Sequence, residues 1–278
     1  MRLDSVQRIR PLLGTEVEIN LVGNYSTKQV ETALQTAFNK IERIHNLMSI
    51  HNPASELNHL NRSLGKWIPL SIETTEVLSL VLYLQDKTDN RFNCFQNAPN
   101  EPESLQPHGT VSDLNSVRPS QTPGLEIKGL KGKLNLPLHI CLDGIAKGYA
   151  VDAGVEVLQN HGIYHGWISA GGDSRVFGDI SLQQMRKTCP GVGNQHSLEA
   201  YRNCAISSSQ ATCSNCFKRD LCILDAEGNK AKPASVSVIA SKAWLADALT
   251  KVFLLTPESG HQALADTFKV DYFYRAEA

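Results

Sequence analysis

Apolar residues recur along the chain with two periods, and those periods predict its elements. Residues 13–22 alternate after Gly14, with Val17, Ile19 and Leu21 on one face, as in a half-buried strand. Ser26 followed by Gln29 predicts a capping box. The helix behind it carries Val30, Ala33, Leu34, Ala37, Phe38, Ile41, Ile44 and Leu47 on one continuous stripe. Residues 48–61 read as a turn and a short helix, capped by Ser55 and anchored by Leu57 and Leu60. A second amphipathic helix is predicted over 74–88, with Val77, Leu78, Leu80, Val81, Leu82 and Leu84 nearly continuous. The apolar run 134–142 predicts a buried strand, Gly144 and Gly148 bracket a tight passage, and Val151, Val155, Val157 and Leu158 predict a helix over 145–161. Further strands are expected at 164–170, ended by Gly171-Gly172, and at 204–206, running into a hydroxyl-rich loop. Two more are expected at 221–225 and 235–240. The last long helix begins near Ser241 and continues through Leu245, Leu249, Val252 and Phe253. Between 95 and 124 five prolines and almost no periodicity predict a long irregular loop, an insertion within one large domain over 1–278 rather than a linker.

Composition narrows the function classes. With 27 basic and 28 acidic residues the net charge is −1, which argues against an electrostatically driven nucleic-acid partner. No segment reaches the length of about 18 apolar residues that a membrane span needs. The first residues lack the apolar core of a signal peptide, so the chain as written is expected in the cytoplasm, and in the periplasm if a leader has been removed. Of seven cysteines, Cys94, Cys141 and Cys189 are dispersed. Cys204, Cys213, Cys216 and Cys222 cluster around a single C-x-x-C pair, compatible with disulfides or a zinc site, although structural zinc sites commonly use two such pairs.

Several segments carry candidate chemistry. A strand entering a glycine turn and then a helix N-terminus suits an anion, because unpaired N–H groups and the positive end of the helix dipole face it; the same turn also serves as a plain packing device. Asp247 and Thr250 are three apart on a helix and so share a face from which two oxygens can hold a hard cation. Equally, Thr250 can bond its own i−4 carbonyl while Asp247 faces water. Glu56, Asn58 and Asn61 suit either ligand contact or a solvated face, and Gly171-Gly172 either a ligand approach or a tight hairpin.

Taken in order, these pieces resemble the ApbE family of FAD:protein FMN transferases. The resemblance rests on 13–19 (L-G-T-E-V-E-I), Met48-Ser49, Ser55-Glu56-Leu57, Leu60-Asn61, the run 143–152 (D-G-I-A-K-G-Y-A-V-D), Gly171-Gly172-Asp173, the 205–209 strand and Ala246-Asp247-Ala248-Leu249 with Thr250. It spans nearly the whole chain. It implies an α+β fold, ApbE-like and related to the T-fold, with sheets, packed helices and a flavin cleft. It further implies FAD as substrate, a Mg²⁺ ion at its pyrophosphate, and a client flavoprotein whose Thr hydroxyl takes FMN while AMP leaves. The metal ligands implied are Ala146, through its carbonyl, with Asp247 and Thr250. Dinucleotide contacts implied are Met48, Glu56, Asn61, Asp143, Gly144, Lys147, Gly171, Gly172, Ser208 and Ser209.

This chain departs from the family pattern at several places. Cys141-Leu142-Asp143-Gly144 stands where Asp-x-Gly-Gly is usual, and Phe92-Asn93 where Phe-Asp is usual. The late helix spaces its Asp and Thr three apart, with Lys251 at the fourth place. Cys222 stands where many members have the His that serves as candidate base, which leaves Asp225, Cys222 and Asp143 as the catalytic candidates. Two other activities fit the same pattern: hydrolysis of FAD to FMN and AMP, and flavin binding without catalysis.

Overall fold

A computed structural model describes residues 5–97, 124–188, 198–211 and 231–276. The longest apolar stripe forms helix α1, Thr27–Met48, and its buried residues are those of the stripe except that Met48 takes the last place from the half-buried Leu47. Ser26 caps it by accepting from the Gln29 N–H. The reciprocal half of the expected capping box is replaced: the Gln29 amide reaches the carbonyl of His161 at 3.0 Å and ties α1 to a distant helix end.

The apolar alternation of 13–22 becomes β2, Thr15–Val22, which pairs antiparallel with β1, Ser5–Leu12. β1 is mostly exposed, so no alternation marked it in advance. These two edge a seven-stranded antiparallel sheet in the order β1-β2-β8-β9-β10-β11-β12. The remaining members are β8 (Gly166–Ala170), β9 (Asp173–Phe177), β10 (Ala205–Ala211), β11 (Ala234–Ala240) and β12 (Asp271–Ala276). β10 runs through the segment expected as a hydroxyl-rich loop, because all seven of its residues register against β11. The strand expected at 221–225 lies outside the described residues, as does most of the expected loop at 95–124.

Helices cover one face of this sheet. α2 is Glu56–Asn61 and α3 is Ile72–Lys87, each capped by the serine before it, Ser55 and Ser71. α4, Ala146–Asn160, packs on both α1 and α6, Ala243–Leu255, and the principal core fills the space between these helices and the sheet. Val22, Trp167, Val176, Leu182, Ile206 and Ile239 form a second core on the opposite face, under α5, Leu182–Thr188. A short helix α7, His261–Phe268, leads into β12.

The expected strand 134–142 divides. Lys131–Leu134 (β6) joins Ile68–Pro69 (β3) and Leu125–Ile127 (β5), whereas Leu138–Ile140 (β7) pairs with Phe95–Asn97 (β4). Pro137, which has no N–H to give a ladder, sits at the break, and the Leu138 N–H turns back to the Leu136 carbonyl at 2.7 Å.

α4 and α6 touch at unusually close range. A Cβ on Gly148 would lie 2.4 Å from the Ala243 carbonyl oxygen, so only glycine lets the two backbones meet. Asp152, one turn further on, accepts from the Trp244 N–H at 3.0 Å and thereby satisfies the uncapped start of α6. Arg175 of β9 pairs with the other oxygen of Asp152 at 2.6 Å, joining both helices to the sheet.

Candidate active site at the glycine corner

The turn 141–145 delivers α4 to the place where α6 and the β8–β9 hairpin converge. Asn61 holds its approach: its side-chain oxygen accepts from the Ile140 N–H at 2.8 Å, and its amide donates to the Ile140 carbonyl at 3.0 Å. Ile145 gives no side-chain cap to α4, so the first turn depends on other groups. One is Asp247, whose Oδ2 accepts from the Gly148 N–H at 3.3 Å. An anion does sit at this helix N-terminus, and the protein supplies it.

Asp247 is fully buried. Its other carboxylate oxygen pairs with the Lys251 ammonium one turn later, and the same ammonium donates to the Asp247 carbonyl at 3.0 Å. Thr250 donates its hydroxyl to that same carbonyl at 2.7 Å and shares a second hydrogen bond with Ser209 at 2.8 Å. Thr250 thus bonds the i−3 carbonyl, not the i−4 carbonyl expected, and Asp247 does not face water.

Asp173 enters from the start of β9. It is 3% exposed, accepts a hydrogen bond from Ser207 of β10, and lies 3.7 Å from the Lys147 ammonium. Burial first, and then the nearby Asp247 carboxylate, push the Asp173 carboxyl up from 3.8 to about 6, against the pull of Lys251, Lys147 and Ser207. Lys147 also donates to the Asp143 carbonyl at 3.0 Å, closing the turn. Burial alone would lower its value, but Asp247, Asp173 and Asp143 together raise it, so Lys147 stays a cation. Asp173, Ser207 and Lys251 were not among the site residues expected from sequence. Lys251 was visible from its i+4 position, whereas Asp173 and Ser207 lay within motif segments with nothing local to single them out.

The other expected residues have these positions. Asp143 is exposed at the mouth of the turn, and the Lys251 stem runs 3.8 Å from where a Gly144 Cβ would be. Gly171 and Gly172 form the two-residue loop of the β8–β9 hairpin, both at positive φ, beside the side chain of Thr15. Ser208 pairs across the sheet with Ser237 at 2.7 Å. Met48 is buried in the core, and Glu56 accepts from both the N–H and the hydroxyl of Ser71, at 2.9 and 2.8 Å. Met48, Glu56 and Asn61 are thus engaged by the fold around the corner. Cys222 and Asp225 lie outside the described residues, as do Cys213 and Cys216; Cys204 is a buried free thiol.

Of the three implied metal ligands, Ala146 opens α4, Asp247 reaches that first turn through the Gly148 N–H, and Thr250 turns to Ser209 of β10. Their arrangement does not fit a divalent cation. Mg²⁺ takes six oxygens at about 2.1 Å, and here one Asp247 oxygen holds an ammonium and the other an N–H. The Thr250 hydroxyl is committed on both sides. An ion on Asp247 would lie within about 4 Å of Lys251, where repulsion is roughly 4 kcal/mol per unit charge and about twice that for a divalent ion. Among the described residues no group of three His, Cys, Asp or Glu side chains is placed to hold a metal.

Two hollows lie elsewhere. One of 610 Å³ is lined by Lys40, Arg43, Glu73, Glu76, Tyr149 and Lys242, most of whose charges are paired with one another. Another of 570 Å³ borders Leu13, Gly14, Thr15 and His45, on the side of the Gly171 turn that touches Thr15. Among the described residues no helix is long and apolar enough to cross a membrane.

Solved structures share the fold along the whole chain. The apo flavinyl transferase ApbE of Pseudomonas stutzeri superposes with a TM-score of 0.76 at 18% identity, covering 100% of this chain and 94% of that one. The ApbE protein of Thermotoga maritima gives 0.74 at 19% identity, over 99% of this chain and 97% of that one. The flavin transferase ApbE of Vibrio cholerae gives 0.75 at 20% identity, over 99% and 94%. Among curated protein sequences none matches the chain. The α+β architecture expected from the sequence is therefore the architecture of these proteins. The ApbE family model matches residues 13–274, almost the entire length, and this chain belongs to the ApbE family.

Proposed function

We propose that this protein transfers FMN from FAD to a threonine of a client flavoprotein. The observation that carries the reading is the corner itself: within a chain of the ApbE family, Lys147, Asp173, Asp247 and Lys251 meet at one glycine turn from three separate elements. Such a set offers ammonium donors to a diphosphate and a carboxyl poised to accept a proton. The client Thr oxygen forms a bond to the FMN-side phosphorus while the bridging P–O bond breaks. The electron pair of that bond leaves with AMP, and the hydroxyl proton passes to a carboxylate of the corner. Asp173, raised to about 6, is the candidate the corner itself presents; Asp143, Asp225 and Cys222 remain the other candidates. Gly144, Lys147, Gly171, Gly172 and Ser209 would line the dinucleotide, with Met48, Glu56 and Asn61 shaping the wall behind them.

The test is incubation with FAD and a client flavoprotein carrying the acceptor Thr, read by in-gel flavin fluorescence and mass spectrometry. Covalent flavin on the client with matching AMP release is expected. AMP release that is equally fast without client would favour the hydrolase, and neither label nor AMP would refute the transfer.

A further inference from the structure

We propose that Lys251 is a built-in cation, standing where the resemblance puts a divalent ion, and that flavin dinucleotide binding by this protein needs no metal. The inference rests on the flavin reading above and deepens it. Asp247 offers its carboxylate to the N-terminus of α4, and Lys251, from within the same helix, donates both to that carboxylate and to the Asp247 backbone carbonyl. At i and i+4 the pair forms wherever α6 is helical, so the cation is delivered by the fold and requires no uptake from solution. Asp247 is fully buried, whereas the Lys251 side chain keeps 24% of its surface exposed. An ammonium has three donors; two go to Asp247, and the exposed portion leaves a donor for an incoming phosphate oxygen.

Lys147 repeats the device on the opposite side of the turn. It faces the buried Asp173 and keeps 28% of its side chain exposed. The two buried carboxylates are thus matched by two half-exposed ammoniums, and a diphosphate reaching the corner meets lysine donors on both flanks. A divalent ion would have to compete with Lys251 for Asp247 and with Ser209 for Thr250. The ligand class this assigns to the corner is a dinucleotide diphosphate held by ammonium groups, without a metal bridge.

The experiment uses the full chain, its Lys251→Thr variant and its Lys251→Arg variant, with circular dichroism to establish that each is folded. FAD binding is followed by flavin fluorescence in EDTA and in Mg²⁺, and Mn²⁺ binding by electron paramagnetic resonance without flavin. The wild type is expected to bind FAD equally in both buffers and to bind no Mn²⁺ at the corner. Lys251→Arg keeps the charge and should behave alike. Lys251→Thr removes it and adds a hydroxyl beside Asp247: FAD binding should weaken about tenfold in EDTA, recover in Mg²⁺, and Mn²⁺ binding should appear. Loss of wild-type FAD binding in EDTA with rescue by Mg²⁺ would overturn the proposal, as would stoichiometric Mn²⁺ on the wild type. Unchanged FAD affinity of folded Lys251→Thr in EDTA would overturn it too. If Lys251→Thr does not fold, the wild-type and Lys251→Arg titrations still decide. The Mn²⁺ titration involves no flavin, so a wild type that binds neither Mn²⁺ nor FAD would sink the flavin reading, and the role of Lys251 with it.

Discussion

Replacing Asp173 with Asn should stabilise the fold at neutral pH while removing a candidate proton acceptor of the corner. The carboxyl is buried beside a second carboxylate and is raised from 3.8 to about 6, so the folded chain holds its proton more tightly than the unfolded chain does. A raised carboxyl makes its full contribution to stability below about pH 4 and loses it as pH climbs through about 6. At about 1.36 kcal/mol per pH unit, the span from 3.8 to about 6 corresponds to roughly 3 kcal/mol by neutral pH. Asn keeps an oxygen for the Ser207 hydroxyl and cannot ionise. Asp173→Asn should therefore gain up to about 3 kcal/mol on the wild type between about pH 4 and pH 7.5, or roughly 6–12 °C in melting temperature for a chain of this size. Urea unfolding of both proteins at about pH 4, 5, 6 and 7.5 measures the difference. A difference that does not change with pH, or one that shrinks toward neutrality, would refute the reasoning. The same variant should label a client far more slowly than the wild type, a case of stability and activity opposed at one residue.

Other expectations follow from the same contacts. Gly148→Ala places a methyl 2.4 Å from the Ala243 carbonyl oxygen and should cost on the order of 3 kcal/mol while weakening FAD binding, seen in paired melts and flavin titrations. Glu73 is held down to about 2, chiefly by the Arg43 hydrogen bond and further by Lys40, so it stabilises the fold above about pH 4.5 and that contribution is lost as pH falls toward 2. Because Arg43 is half exposed, Glu73→Gln should cost only about 1–2 kcal/mol near pH 7 and almost nothing near pH 2.5, by urea titration. Burial pushes the Cys141 thiol up to about 11 and Cys204 to about 12, and raises Cys94 further still. All three should resist iodoacetamide at neutral pH until the chain is unfolded, which peptide mass mapping would show.

What the sequence determined by itself is local, and so are the rules that reveal it. The stripe of α1, the caps at Ser26 and Ser55, the helix behind Gly144 and the alternation of β2 and β11 depend on neighbours within about four residues, where period and capping chemistry act. The ordered run of motifs was also enough to indicate the family, and Lys251 could be placed one turn beyond Asp247 from spacing alone. β1 escaped because it is mostly exposed, and β12 because its three consecutive half-buried aromatics, Tyr272-Phe273-Tyr274, do not alternate with polar residues. Only the tertiary structure decided the rest. It showed that Gln29 reaches His161 and not its own helix start, and that Asn61 holds Ile140. It also brought Asp173 across to face Lys147, and gave the α4 N-terminus its anion from Asp247. Each of these joins residues far apart in the chain. The last of them depends on the close approach of α4 and α6 at Gly148 and Ala243, a packing distance that no local pattern encodes.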